Sequence, residues 1–153
     1  MKIDDILNLQ NEEEIILKIG ESIWKKTQYD YDNFSNLNEI ERTFIYVDIL
    51  EGQVNNGGFD QFFFNSSGDY TYEVLEAYEN IGAYKTANLI SEAINAFPKL
   101  PVSKDTETRR ITMQDLSEEI SEKWNQLDDK FYEYEENIMN YLIEYIKKNK
   151  EMI

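Results

Sequence analysis

The residues best suited to chemistry gather in one stretch, EGQVNNGGFDQFFFNSSGD, from Glu51 to Asp69. Glu51 falls eleven residues after Ile40, on the same helical face as an apolar stripe, and a carboxylate placed there must find partners. Two roles are open to it. As a structural acid it accepts hydrogen bonds from amides or from side chains of the following turn, Asn56 or Gln61; as a pocket acid it carries a raised pKa. In the second case Glu51, Asn55, Asn56 and Gln61 would form the kernel of a small-molecule module or of a carboxylate-based hydrolase. The backbone amides of Asn55, Asn56, Gly57 and Gly58, followed by a helix start at Phe59, could also hold a carboxylate or phosphate as an anion nest. A scaffold role is favoured over both. The Asn and Gly residues supply left-handed conformations that end one helix, and Phe59 begins the next. A hairpin is disfavoured because the preceding residues keep a helical period for about four turns.

Composition removes most other chemistry. There is no His and no Cys, so Ser-His and Cys-His catalysis, Cys/His zinc sites and disulfides are excluded. Asp30, Asp32 and Glu41 fall at positions one, three and twelve of a calcium loop, but Phe34 and Ser35 occupy positions five and six, where a ligand and Gly are required. No cofactor or metal is expected, and a non-enzymatic role is the natural reading. The balance of 31 acids against 15 bases, a net charge of -16, disfavours direct contact with nucleic acid or an anionic membrane and favours cationic partners. No apolar run is long enough to span a bilayer and no leader is visible, so a cytoplasmic protein is expected.

Apolar spacing is helical nearly throughout the 153 residues, which predicts an all-α, compact single-domain bundle of about six to seven helices. Asn11 with Glu14, and Asn38 with Glu41, have the form of capping boxes opening two helices, the second apolar on two sides and therefore central. Phe59, Phe62 and Phe63 make a short helix. Asp69 is expected to cap the next, stopped by Gly82. Another runs to Phe97, residues 98–110 form a loop, Thr112 caps the next-to-last helix, and Asp128-Asp129 opens the last.

Laid on those helices, the acids fall into rows. Asp69, Glu73 and Glu76 share one face; Asp115, Glu118, Glu119 and Glu122 lie opposite Ile120 and Trp124; Asp129, Glu133, Glu136 and Glu144 form a last stripe. Ordinary solvated faces mix signs, whereas residues 27–84 hold eleven acids and only Arg42 as a base. Acids three or four positions apart are spaced by about 4.5–6 Å along a helix, a sparser ladder than the ~3.4 Å per phosphate of one DNA strand.

The motif EGQVNNGGFDQFFFNSSGD, with EVLEAYENIGAYKTANLISEAINAF and LDDKFYEYEENIMNYLIEYIKKN downstream, resembles a bacterial domain-of-unknown-function family that includes a DNA-mimic protein. The resemblance covers residues 38–149. It implies an all-α domain, a homodimer, and an acidic surface that occupies the DNA-binding face of a helix-turn-helix repressor and relieves repression. On this reading the partner is a basic DNA-binding protein and Asp69, Glu73, Glu76, Asp115, Glu118, Glu119, Glu122, Asp129, Glu133 and Glu136 play phosphate-like roles. An immunity-type inhibitor covering the basic cleft of a nuclease toxin would use the same charge.

Overall fold

Side-chain oxygens begin most of the helices. In the computed structural model, which describes all 153 residues, Asn11 Oδ1 accepts from the Glu14 amide at 3.0 Å and opens α2 (Glu12–Lys26), after a short α1 (Ile3–Leu7). Asn38 Oδ1 accepts from the Glu41 amide at 2.9 Å and opens α3 (Glu39–Phe64). A 3₁₀ turn (Ser66–Tyr70) leads into α4 (Thr71–Asn80), then α5 (Tyr84–Asn95), α6 (Thr106–Met113), α7 (Glu118–Tyr132) and α8 (Ile138–Lys148). Asp105, Ser117 and Asn137 cap the last three, each through one side-chain acceptor. The fold is all-α, with eight α-helices.

Three expected helix starts differ in the structure. Asp69 does not cap α4; its carboxylate is turned to Thr106 Oγ1 at 2.7 Å and Arg109 at 2.9 Å, and α4 starts with no side-chain cap. Thr112 lies inside α6, because Asp105 caps that helix earlier, within the stretch read as a loop. Asp128 and Asp129 open nothing: α7 continues through them, and Asn137 caps α8. The additional helices are α1 and α6, both short.

The Asn-Gly-Gly turn ends one helical run and starts another, as its chemistry predicts. Gly58 has φ 74° and ψ -175°, a region essentially reserved for Gly, while Asn55 and Asn56 stay helical. The break frees a carbonyl and an amide, and α7 supplies partners for both. Tyr132 Oη donates to the Val54 carbonyl at 2.6 Å, and Asp128 Oδ1 accepts from the Phe59 amide at 2.9 Å. Of the expected anion nest only the helix start is used: the Phe59 amide, and none of those of Asn55, Asn56, Gly57 and Gly58, meets a carboxylate, the chain's own Asp128. A Cβ on Gly58 would come within 2.7 Å of Asp128 Cγ, so the glycine also makes room for that carboxylate.

At the other end of the Phe-rich helix, Arg109 is completely buried. Its guanidinium donates to the carbonyls of Phe63 at 2.5 Å, Ser103 at 2.7 Å and Asn65 at 2.8 Å, and pairs with Asp69. Gly68 is to Arg109 what Gly58 is to Asp128, since a Cβ there would lie 2.8 Å from Cζ. Between the two clamps, Phe59, Phe62 and Phe63 pack into a core of 35 buried apolar residues, Phe63 against Phe97 and Trp124, Phe59 against Phe131. Trp124 in turn donates its indole N–H to the Ala93 carbonyl at 2.9 Å, at the end of α5.

Gly58→Ala should cost about 2–3 kcal/mol in urea unfolding, from the forbidden backbone region and the lost room for the carboxylate. Asp128→Ala should cost about 2 kcal/mol by stranding the Phe59 amide, and Asp128→Asn, which keeps an acceptor, less than half of that.

Candidate functional site

Because α7 runs unbroken from Glu118 to Tyr132, acids that the sequence divides between two helices join in one row. Glu118, Glu122, Asp129 and Glu133 recur at spacings of four, seven and four residues, and at 100° per residue they fall within a stripe opposite the buried Trp124, Leu127 and Phe131. The row spans about 22 Å at 1.5 Å per residue. All four are exposed and have no cation within 4.0 Å. Glu119 lies beside the row and Asp115 in the connector before it, both also exposed and unpaired.

The α4 acids belong to a second group. Glu73 and Glu76 line a groove with Glu39 and Arg42 beside Tyr46, and Asp30, Asp32 and Asp69 surround Tyr70, whose ring lies 5.4 Å from that of Tyr46. Burial, with these carboxylates, raises the Tyr46 hydroxyl pKa and pushes that of Tyr70 up to about 12. Asp69 and Glu73 are already neutralised in this group, by Arg109 and Lys104; Glu76 is exposed and unpaired. Asp30, Asp32 and Glu39 share no helical row with the α4 acids, and only the single-sign charge of residues 27–84 marks them in the sequence.

Glu136 stands apart from any acidic face. It is buried, and its Oε1 accepts from the Thr86 amide at 2.7 Å and Thr86 Oγ1 at 2.8 Å, capping the first turn of α5 from outside. The stripe of Asp129, Glu133, Glu136 and Glu144 on a single last helix is therefore not formed. These residues are shared among α7, the connector and α8.

Glu51 has the pocket environment. It lies on the wall of a cleft of about 580 Å³ between α2, α3 and α8, lined by Ile16, Val47, Ile138, Met139 and Leu142 with Asp48, Asn55, Tyr134 and Asn137. Tyr134 Oη donates to Glu51 Oε2 at 2.9 Å and accepts from Asn55 Nδ2 at 2.7 Å. Tyr134, an aromatic residue, is held at φ 47° in the connector after α7. Burial pushes the Glu51 carboxyl up to about 7, against the hydrogen bonds of Tyr134 and Asn55 and the nearby Tyr78 hydroxyl, and with help from Asp48. Asp48 is itself raised by burial, opposed by the Trp24 indole N–H at 2.7 Å.

The partners expected for a structural Glu51 are elsewhere. Asn56 donates to Gln61 at 3.0 Å and Gln61 to Gln53 at 2.9 Å, so of the turn residues only Asn55 reaches the cleft. Gly57 is exposed beside Gln61, and Phe59 is wholly in the core. Sequence reasoning missed Asp48, Tyr78 and Tyr134. Asp48 could have been found from its i,i+3 spacing to Glu51, whereas Tyr134 arrives from 83 residues away. No group of three or more carboxylates converges in a metal-holding arrangement, and no helix is long and apolar enough to cross a membrane.

Residues 35–149 match the family described as DMP19-like protein. No curated protein and no solved structure matches the chain.

Glu51 ionises at about 7 in the fold against 4.5 for a free glutamate. The folded state therefore holds this proton to higher pH, and stability is full below 4.5 and falls as pH rises through 7. Glu51→Gln should match the parent near pH 4 and exceed it by roughly 2–3 kcal/mol at pH 8. Urea unfolding at the two pH values checks this, and equal stabilities at both would contradict it.

Proposed function

Since the chain belongs to the DMP19-like family, a DNA-mimic family, we propose that it is a DNA mimic that occupies the DNA-binding surface of a basic protein such as a helix-turn-helix repressor and blocks its DNA binding. Family membership supports a DNA-mimic type of function. The observation that carries the finer reading is the α7 row, Glu118, Glu122, Asp129 and Glu133, exposed and without cations along about 22 Å. One strand of duplex DNA presents roughly six phosphates over that length. Glu119 and Asp115 extend the row; Glu76 belongs to the separate α4 group, and Asp69 and Glu73, paired with Arg109 and Lys104, add no free charge. Glu136 has no part in the contact, because its carboxylate is committed to α5.

A binding surface for a DNA-binding protein needs charges that a partner's Lys and Arg can reach and that the chain itself does not satisfy. The α7 row meets both conditions and is backed by Trp124, Leu127 and Phe131, which keep the helix from rotating. Its free charges also repel one another, a cost that a cationic partner removes.

Capture from a bacterial lysate at low salt, with mass-spectrometric identification, should recover a DNA-binding protein. Its affinity should fall roughly tenfold or more between about 50 and 200 mM salt. The variant with Glu118→Gln, Glu122→Gln, Asp129→Asn and Glu133→Gln should lose that partner while unfolding like the parent, all four sites being surface positions. Recovery of no nucleic-acid-binding protein, or equal binding by the neutralised variant, would overturn the reading.

A further inference from the structure

Glu51 and Asp48 differ from the other carboxylates drawn into the fold. Glu41 is paired with Lys26, Asp69 with Arg109 and Glu73 with Lys104, while Asp128 and Glu136 accept backbone amides. Glu51 and Asp48 receive only neutral side-chain donors, from Tyr134, Asn55 and Trp24. No Lys or Arg lines the cleft they share and neither has a cation within 4.0 Å, although Asp48 also borders a second cleft, on the Trp24 side, that holds Arg110. Beside Glu51, the Tyr78 hydroxyl is wholly buried and has no hydrogen-bond partner of its own. Two acids on one helix, three residues apart, thus face an apolar cleft that the fold leaves without a counter-charge.

We propose that the cleft between α2, α3 and α8 binds a small organic amine, its ammonium group between Glu51 and Asp48 and its apolar body against Ile16, Val47, Ile138 and Leu142. The chemistry selects among ligand classes. An anion would meet two carboxylates and no cation. A bare metal ion would find too few ligands, since no third carboxylate joins the pair. An ammonium group gives each carboxylate a charge-assisted hydrogen bond in a partly desolvated site, where such bonds are about twice as strong as neutral ones. The cleft of about 580 Å³ fits a ligand of a few to a dozen heavy atoms, within the ordinary range for small-molecule sites. Asn55, Tyr134 and Asn137 at the rim add polar contacts that would orient it. This inference is independent of the α7 row, because none of the four acids of that row lines the cleft.

The titratable groups facing the pair are Tyr78 on α4 and Tyr134 in the connector; α2 contributes Ile16 and the Trp24 indole, α8 contributes apolar side chains, and Asn137 stands at the start of α8. Between about pH 5 and 8, then, amine binding should follow ionisation of the Glu51–Asp48 pair alone, and weaken as the pair takes up a proton.

The test uses the full-length protein, isotope-labelled at methyl and amide groups, titrated with cyclohexylamine and, in parallel, with cyclohexanol. At pH 8 the amine should shift Ile16, Val47, Ile138 and Leu142 signals saturably, with affinity at least roughly tenfold above that of the alcohol. Lowering the pH to about 5.5 should weaken it roughly tenfold or more, and Glu51→Gln should weaken it similarly while keeping the parent spectrum elsewhere. No saturable shift up to about 10 mM amine, or equal binding of the alcohol, overturns the proposal. The alcohol comparison uses the parent protein, so the test stands even if the variant is perturbed.

Discussion

The Phe59–Phe64 helix is held at both ends by charges that arrive from far along the chain. A helix start presents unpaired N–H groups and partial positive charge, and a helix end presents carbonyls and partial negative charge. Asp128 meets the first and Arg109 the second. Each charge is drawn out of water and must find polar groups where it is placed; the broken backbone around the two glycine turns provides them. The consequence reaches beyond the motif. Fixing Asp128 and Tyr132 to the kink sets the rotation of α7, which turns Trp124, Leu127 and Phe131 inward and Glu118, Glu122, Asp129 and Glu133 outward.

The acids of this protein therefore do two kinds of work. Asp128 and Glu136 complete helix ends, Asp69 meets the buried Arg109, and the buried Glu41 is held by Lys26; all four stabilise the fold. The exposed α7 row, Glu118, Glu122, Asp129 and Glu133, pairs with no cation within the chain and projects a field of one sign. A net charge of -16 is therefore an incomplete guide to the surface, since part of it is internal. Glu51 and Asp48 fit neither kind, being partly withdrawn from water yet without a cation.

Much of the architecture was legible in the sequence because it rests on local rules. Asn11 and Asn38 open the helices their spacing announces, Gly82 follows the end of α4, and the Asn-Gly-Gly turn divides α3. What was misread depends on long-range partners. Asp69 has the local form of a cap but is claimed by Arg109, and Asp128-Asp129 looks like a helix start but lies inside α7, with Asp128 capping another segment 69 residues away. Glu136 has the spacing of a surface acid and is held by Thr86 on α5. For Glu51 the sequence posed the right alternatives, and only the arrival of Tyr134 from the connector distinguishes them.

The central claim is that the exposed α7 acids stand in for a row of phosphates, so that one partner surface takes either this protein or DNA. Fluorescence anisotropy of a labelled duplex bound to the captured DNA-binding protein measures this directly. The account predicts that the acidic protein returns the duplex to its free anisotropy along a competitive isotherm, with no ternary species. A stable complex of partner, duplex and this protein would contradict it.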